Sequence, residues 1–287
     1  MKSNKEEKTN KTGTLYIVST PIGNMDDITY RAVKVLKTTD LIVCEDPKIG
    51  ARLLHRFNIT QKMDILNEQN ENTKTAELFD LLMHGTSIAL ISDDGTPILA
   101  DPGLALVQTA IRNDIDIVVV PGPSSIITAL VRSGFPINQF LFAGFLSRDK
   151  DERLAQLKRL SDEARTVVLL ETPYRLMPVL EAASKIMPKR NAYIGCNLTM
   201  PYETHHYGTF SELYNKFKNL NFKGEFVICF EGMPIQLQLK NMVKLELKPK
   251  IKEKSPYKKQ SQTRQYKGKK FSSEKKKKIF KGKTKKY

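Results

Sequence analysis

Three turns in the first half of the chain carry side chains that could do chemistry together. Cys44-Glu45-Asp46-Pro47 and Ser92-Asp93-Asp94-Gly95-Thr96-Pro97 place paired carboxylates just after short apolar runs, and Thr20-Pro21-Ile22-Gly23-Asn24 places a glycine in the same context. Carboxylates at such turns can take a proton from a nucleophile or bind sugar hydroxyls and an ammonium, and glycine lets the backbone approach a ligand closely. Asp101-Pro102-Gly103 and Pro121-Gly122-Pro123-Ser124-Ser125 repeat the arrangement. Glu45, Asp46 and Asp94 are the candidate proton acceptors. Adjacent strand residues point to opposite faces, so at most one of Glu45 and Asp46 should enter a given cleft.

Several chemistries lack their motifs. The chain has no G-x-G-x-x-G, no G-x-x-x-x-G-K, no G-x-S-x-G and no H-E-x-x-H, which disfavours a dinucleotide site, a nucleoside triphosphate site, a serine hydrolase and a zinc protease. His55 and His84 sit in helix-like stretches and His205-His206 in what reads as a loop, without metal-ligand spacing. No metal is expected. Cys44, Cys196 and Cys229 are far apart within apolar runs and read as buried thiols in strands.

The elements that must position the turns follow from periodicity. Apolar, β-branched runs recur at Leu15–Thr20, Leu41–Cys44, Ser87–Ser92, Asp116–Val120, Phe140–Phe145, Thr166–Glu171, Ala192–Leu198 and Phe226–Phe230. Helical spacing of apolar residues marks Ile28–Lys37, Glu71–Met83, Leu104–Arg112, Ser124–Arg132, Arg153–Leu160, Arg175–Ile186 and Ser211–Lys218. Strand–helix alternation predicts an α/β chain with mainly parallel pairing, in which turns at the carboxyl ends of strands converge on one cleft. Asp101-Pro102 reads as a helix start, with aspartate as cap and proline at the first helical position, and Pro123-Ser124 as another. Interrupted periodicity near 121–139 divides the chain into an N-terminal α/β domain (13–121) and a C-terminal one (122–235).

Charge is distributed unevenly. The chain carries 47 Lys and Arg against 31 Asp and Glu, a net of +16. From Lys248 to Tyr287 there are 18 basic and 2 acidic residues, so residues 1–247 hold 29 of each and balance. Residues 236–287 therefore read as a basic, low-complexity tail that buries too little apolar surface to order alone. Its interspersed Tyr257, Tyr266, Phe271 and Phe280 suit a nucleic-acid backbone and bases. No apolar stretch approaches the roughly 18 residues of a membrane span, and the first residues lack a signal core, so a cytoplasmic protein with no membrane partner is expected.

Taken in order, the segments G-T-L-Y-I-V-S-T-P-I-G-N-M-D-D-I-T-Y-R-A, D-L-I-V-C-E-D, I-A-L-I-S-D-D-G-T-P-I-L-A-D-P-G, V-P-G-P-S-S-I-I-T-A-L and G-F-L resemble the tetrapyrrole-methylase superfamily of S-adenosylmethionine-dependent methyltransferases, over about Gly13 to Gly232. The resemblance implies two α/β domains with the cofactor between them and a homodimer. It places Pro21, Ile22, Gly23, Ser92, Asp93, Asp94, Gly95, Ser124, Ser125, Phe145, Glu171 and Leu198 against S-adenosylmethionine. The branch most similar acts on 16S ribosomal RNA, which implies methylation of a cytidine ribose 2′-hydroxyl, the small ribosomal subunit as partner, and Lys48 and Arg52 on RNA phosphates. Two other readings stay open: a relative acting on a tetrapyrrole or another small molecule, and a non-catalytic RNA-binding or ribosome-assembly factor. The chain departs from the RNA-modifying pattern at three places. Pro47-Lys48 replaces T-R, Asp94 replaces an alanine, and Cys196-Asn197-Leu198-Thr199-Met200 replaces R-E-L-T-K.

Overall fold

The computed structural model describes residues 11–220 and 224–234. The tail assigned to 236–287 lies outside the described residues.

Five strands form the first sheet: β1 (Leu15–Val18), β2 (Leu41–Cys44), β3 (Lys62–Ile65), β4 (Ile88–Ile91) and β5 (Ile117–Val120). They run parallel in the order β3-β2-β4-β1-β5. The central strands read L-Y-I-V, L-I-V-C and I-A-L-I because both of their faces are covered. Alternate residues serve opposite cores. Leu15, Ile17 and Leu90 pack with Leu78 and Leu82 of α3 (Glu71–Met83) and Leu106 and Ala110 of α4 (Leu104–Arg112). Val18, Ala89 and Ile91 pack with Ala32 and Leu36 of α1 (Tyr30–Thr38) and Leu53 and Leu54 of α2 (Pro47–Arg56).

The neighbours β1 and β4 therefore send their following helices to opposite faces, β1 into α1 and β4 into α4. Such a reversal leaves a crevice beyond the carboxyl ends of the two strands. Residues 20–24 and 92–95, the turns that follow β1 and β4, open there.

The second sheet is ordered β6-β7-β10-β8-β9, from β6 (Phe140–Gly144), β7 (Thr166–Glu171), β8 (Asn191–Cys196), β9 (Thr204–Thr209) and β10 (Phe226–Phe230). Only β6 and β7 pair in parallel; β7–β10, β10–β8 and β8–β9 are antiparallel. The expectation of mainly parallel pairing thus fails in this half. The reason is a short connection: residues 197–203 suffice for a hairpin but not for a crossover. One face packs on α6 (Lys150–Leu160), α7 (Pro173–Ile186) and α8 (Phe210–Phe217) through residues such as Leu157, Val179 and Phe217. The other receives Ile126, Ala129 and Leu130 of α5 (Ser125–Ser133), together with Ile22 and Leu198.

Other expectations also change. β3 and β9 are edge strands whose sequences, K-M-D-I and T-H-H-Y-G-T, carry no apolar run, so His205 and His206 lie in a strand rather than a loop. Asp101-Pro102 starts no helix: α4 begins at Leu104 behind Gly103 (φ +117°), and the Asp101 carboxylate instead accepts the Ser92 hydroxyl. The same Asp-Pro signature does operate at α2, where Asp46 caps the helix and Pro47 is its first residue.

Candidate active site

The turns after β1, β4 and β5 are knitted together. Thr20 donates its amide to the Gly95 carbonyl (2.8 Å) and its hydroxyl to the Ser92 carbonyl (2.9 Å). Gly95 (φ +86°) lies against Ile22 and the Pro123–Ser124 backbone so closely that a Cβ would sit 3.0 Å from Ile22 Cγ2 and 3.5 Å from the Pro123 carbonyl. Glycine is needed there both for its left-handed φ and for the approach. From Ser92 to Gly103 the chain also turns left-handed at Ile98 (φ +75°) and Ala100 (φ +72°). A β-branched residue in that region is strained, and such strain persists where the surrounding structure fixes it.

Beside these turns opens a cleft of about 400 Å³, solvent included, whose polar wall is Ser92, Asp93, Asp94 and Arg52. Its apolar wall includes Pro21, Ile49, Leu53 and, from the second half of the chain, Met200. Of the predicted residues, the cleft gathers Pro21, Gly23, Ser92, Asp93, Asp94 and Arg52. Thr20, Met25 and Met200, which also line it, come from segments the sequence singles out without marking them as site residues, whereas Ile49 does not.

The remaining predicted residues stand elsewhere. Asp46 is engaged as the cap of α2, accepting the amides of Lys48 (2.7 Å) and Ile49 (3.4 Å), while its own amide donates to Asp93 Oδ1 (3.2 Å). Glu45 is half-buried at the end of β2 and does not line the cleft. Lys48 is exposed on α2. Ser124 caps α5, its hydroxyl accepting the Ile127 amide, and Ser125 begins that helix. Ile22 and Leu198 put their side chains into the core between α5 and the second sheet. Phe145 and Glu171 belong to a separate group at the carboxyl ends of β6 and β7. There Glu171, 1% exposed, faces Arg175 Nε at 3.3 Å, and the Arg175 guanidinium lies 5.2 Å from the Phe145 ring centre while donating to the Leu146 carbonyl.

The electrostatics of the first group are one-sided. Burial raises Asp93, Asp94 and Asp101 above the ordinary carboxylate range; Asp93 adds to the effect on the other two, and Arg52 opposes it at Asp94. Glu45 is pushed up to about 7 by burial and then by Asp101, Asp93, Glu68 and Asp46. A carboxylate held near neutrality, as Glu45 is, can accept a proton at working pH, and the cluster as a whole attracts a cation. Glu171 also rises to about 7 through burial, opposed mainly by Arg175. The Thr172 and Leu146 amides and the Arg153 charge also oppose the rise, although neither Glu171 oxygen is held by a well-aligned hydrogen bond.

The family model described as Tetrapyrrole (Corrin/Porphyrin) Methylases matches residues 14–214. The chain belongs to this family. As a tetrapyrrole-methylase family member it is 39% identical over 220 residues, 77% of this chain and 76% of the other, to the ribosomal RNA small subunit methyltransferase I of Halalkalibacterium halodurans. It is 38% identical to the protein of the same name from Thermotoga maritima, covering 77% of this chain and 99% of that one. Among solved structures, a cobalt precorrin-4 methyltransferase superposes with a TM-score of 0.58 at 17% identity, over 76% of this chain and 94% of that one. A uroporphyrin-III C-methyltransferase from Thermus thermophilus superposes at 0.54 and 20% identity, over the same shares. These likenesses show the family's α/β, two-sheet fold.

Among the described residues no helix is long and apolar enough to cross a membrane, and no group of three or more His, Cys, Asp or Glu could hold a metal ion.

Proposed function

We propose that this chain is an S-adenosylmethionine-dependent methyltransferase that acts on 16S ribosomal RNA, methylating a ribose 2′-hydroxyl, with a cytidine as the modified nucleotide. The observation that carries the reading is the similarity, at 38–39% identity over 77% of the chain, to ribosomal RNA small subunit methyltransferases. The donor set fits the cofactor: apolar walls at Pro21, Ile49 and Leu53 suit an adenine face, and Asp93 and Asp94 suit a ligand with an ammonium and a sulfonium.

S-adenosylmethionine supplies an electrophilic methyl group carried on sulfur. What the protein must add is alignment of the hydroxyl with that group and a place for the hydroxyl proton. Asp94 is our first candidate to receive the proton, since it lines the cleft and burial raises its pKa. Glu45 is the second, through its neighbours Asp93 and Asp101. Asp46, already accepting two amides, positions α2 and orients Asp93. Ser92, Gly95, Pro21, Gly23 and Ser124 shape the cofactor pocket, while Lys48 and Arg52, four residues apart on the exposed face of α2, meet RNA phosphates.

In the same reading residues 13–121 and 122–235 form the two domains and the protein acts in the cytoplasm as a homodimer. The exposed Val119, Ile127 and Val131, on edge strand β5 and on α5, offer apolar surface for the second copy. The basic segment Lys248–Tyr287 adds sequence-independent affinity for the RNA. Neutralising about six phosphates predicts a log–log salt slope near −5 for duplex-like RNA, which deleting that segment should flatten.

The deciding experiment is transfer of radiolabelled methyl from S-adenosylmethionine to small ribosomal subunits lacking their native methylations, followed by nucleoside analysis. Labelled 2′-O-methylcytidine is expected. Cofactor binding by calorimetry without any labelled RNA would overturn the RNA assignment and favour a small-molecule substrate. No cofactor binding at all would favour the non-catalytic RNA-binding reading.

A further inference from the structure

The segment Cys196–Met200, where the chain departs from its RNA-modifying relatives, forms the turn from β8 toward β9. Two of its residues are held left-handed, Asn197 at φ +49° and Thr199 at φ +67°. The second is β-branched and therefore strained. Strain of this kind persists only where neighbours fix it, and four neighbours do so here in series.

The Thr199 hydroxyl accepts the amide of Asn24 at 2.9 Å, and the Thr199 amide donates to Glu203 Oε2 at 2.6 Å. Glu203 Oε1 faces His205 Nε2 at 3.3 Å, and His205 Nδ1 faces the Tyr193 hydroxyl at 2.9 Å. The Glu203 carboxylate only accepts, so His205 Nε2 carries the hydrogen. In the neutral ring that leaves Nδ1 to accept from the Tyr193 hydroxyl. Every group in the series then has a compatible role.

The sheet register explains why the series can form. Gly195 pairs with His205 and Tyr193 with Tyr207 across β8 and β9. Tyr193, 0% exposed, lays its hydroxyl over Gly195, where a Cβ would come within 2.7 Å of it, and so reaches the diagonal His205. At the other end a Cβ on Gly23 would sit 2.7 Å from the Leu198 carbonyl and 2.9 Å from Thr199 Oγ1. The turn carrying Pro21 and Gly23, part of the cleft wall, is thus seated directly on the Leu198–Met200 backbone.

We infer that Thr199 is a positioning residue for the cleft: its hydroxyl latches the Pro21–Asn24 turn to the second sheet, and Glu203, His205 and Tyr193 brace it. The proposal rests on the reading that the cleft receives S-adenosylmethionine. With the latch in place, Gly23 and Met200 stay opposed and the pocket is formed before the ligand arrives. Without it the turn must be ordered during binding, and affinity falls. Neither Thr199 nor its bracing residues line the cleft.

The test is Thr199→Val, which keeps the β-branched shape and removes only the acceptor, with Thr199→Ser as rescue. Two readouts are taken on the full-length protein: S-adenosylmethionine affinity by calorimetry, and backbone hydrogen exchange at Asn24 without ligand. The valine variant is expected to bind the cofactor about three- to ten-fold more weakly, to raise KM for it more than it lowers kcat, and to exchange the Asn24 amide faster by a similar factor. Serine should restore both to within about two-fold. Glu203→Ala should shift both in the same direction by less. Unchanged Asn24 exchange in the valine variant, or loss of affinity that serine fails to rescue, would overturn the latch. If the wild-type protein bound no S-adenosylmethionine, the cofactor reading would fall while the exchange comparison still decided the latch.

Discussion

Carboxylates beside the two sheets have different neighbours. Beyond β1, β2 and β4 the carboxylates Glu45, Asp93, Asp94 and Asp101 crowd together, and at Asp94 the one opposing cation is Arg52. In the second half of the chain Glu171 and Glu163 each have an arginine beside them, although burial still raises Glu171 to about 7 and raises Glu225 as well. Glu171 faces Arg175 at 3.3 Å, and Glu163 meets Arg165 at 2.8 Å, which pulls Glu163 down to about 2. Gathering like charges in a half-buried place costs stability, so the first group marks where the chain is prepared to receive a cation and a proton. The Glu163–Arg165 pair, before β7, lines no part of that cleft. Glu171, like Glu45, lies where a strand hands over to a helix, so what separates the two is the Arg175 beside Glu171 and not the fold.

The sharpest way to break this contrast is to neutralise one carboxylate on each side. Asp94→Asn should lower kcat/KM for methyl transfer by about a hundred-fold, the lower range for losing a positioned proton acceptor, while Glu163→Gln leaves it within about two-fold. Steady-state kinetics on small subunits decide it. Equal effects would erase the distinction between site and scaffold.

A second change attacks the seam between the regions. In Gly23→Ala the new methyl would meet the Leu198 carbonyl at 2.7 Å, a backbone group that cannot swing away. The two turns must separate, with an expected cost of about 2 kcal/mol in denaturant unfolding. Gly134→Ala is the contrast in space, since nothing lies within 4 Å there, although its φ of +74° carries its own smaller strain.

How much of this could be read from residues alone differs between the regions in the same way. The cleft turns were legible because P-I-G-N and S-D-D-G follow strongly apolar strands and advertise tight backbone turns. The second sheet was half legible. β9 was missed because an edge strand exposed on one side needs no apolar run, so T-H-H-Y-G-T resembled a loop. With β9 unseen, the alignment of Tyr193, His205 and Glu203 could not be deduced, since it depends on a diagonal register across the hairpin. Asp46 was ambiguous for another reason: a capping aspartate and a catalytic one look alike until the helix boundary is known. The signal was present in Asp46-Pro47, the same pattern wrongly credited at Asp101-Pro102.

The pH dependence of stability sharpens the comparison further. Glu45 has its pKa raised from 4.5 to about 7, so between those values the native protein holds more protons than the unfolded chain. Its contribution is fully present below about 4.5 and is lost as pH rises toward 7, by roughly 1 kcal/mol once solvent screening of a half-exposed group is allowed for. Glu163, lowered to about 2, behaves oppositely: its contribution is present above 4.5 and is lost as pH falls toward 2. Thermal melts should show Glu45→Gln flattening the decline between pH 5 and 7, and Glu163→Gln changing only the acid limb. A Glu45→Gln variant with an unaltered profile would mean that the crowding of the first group is relieved in solution.

The smallest expected effect separates the two roles open to Asp46. Its carboxylate accepts the amides of Lys48 and Ile49 and so satisfies donors that begin α2. If capping is its work, Asp46→Ala should cost about 1 kcal/mol of stability, and Asp46→Ser, which can still accept an amide, should recover most of it. Methyl transfer measured well below the melting temperature should then change only modestly in both variants, through the loosened amide that donates to Asp93. A base at this position predicts the reverse: serine would restore the melting temperature and leave the rate as low as alanine does. The cap and the base thus part company in the serine variant, where stability and turnover respond to different atoms of one side chain.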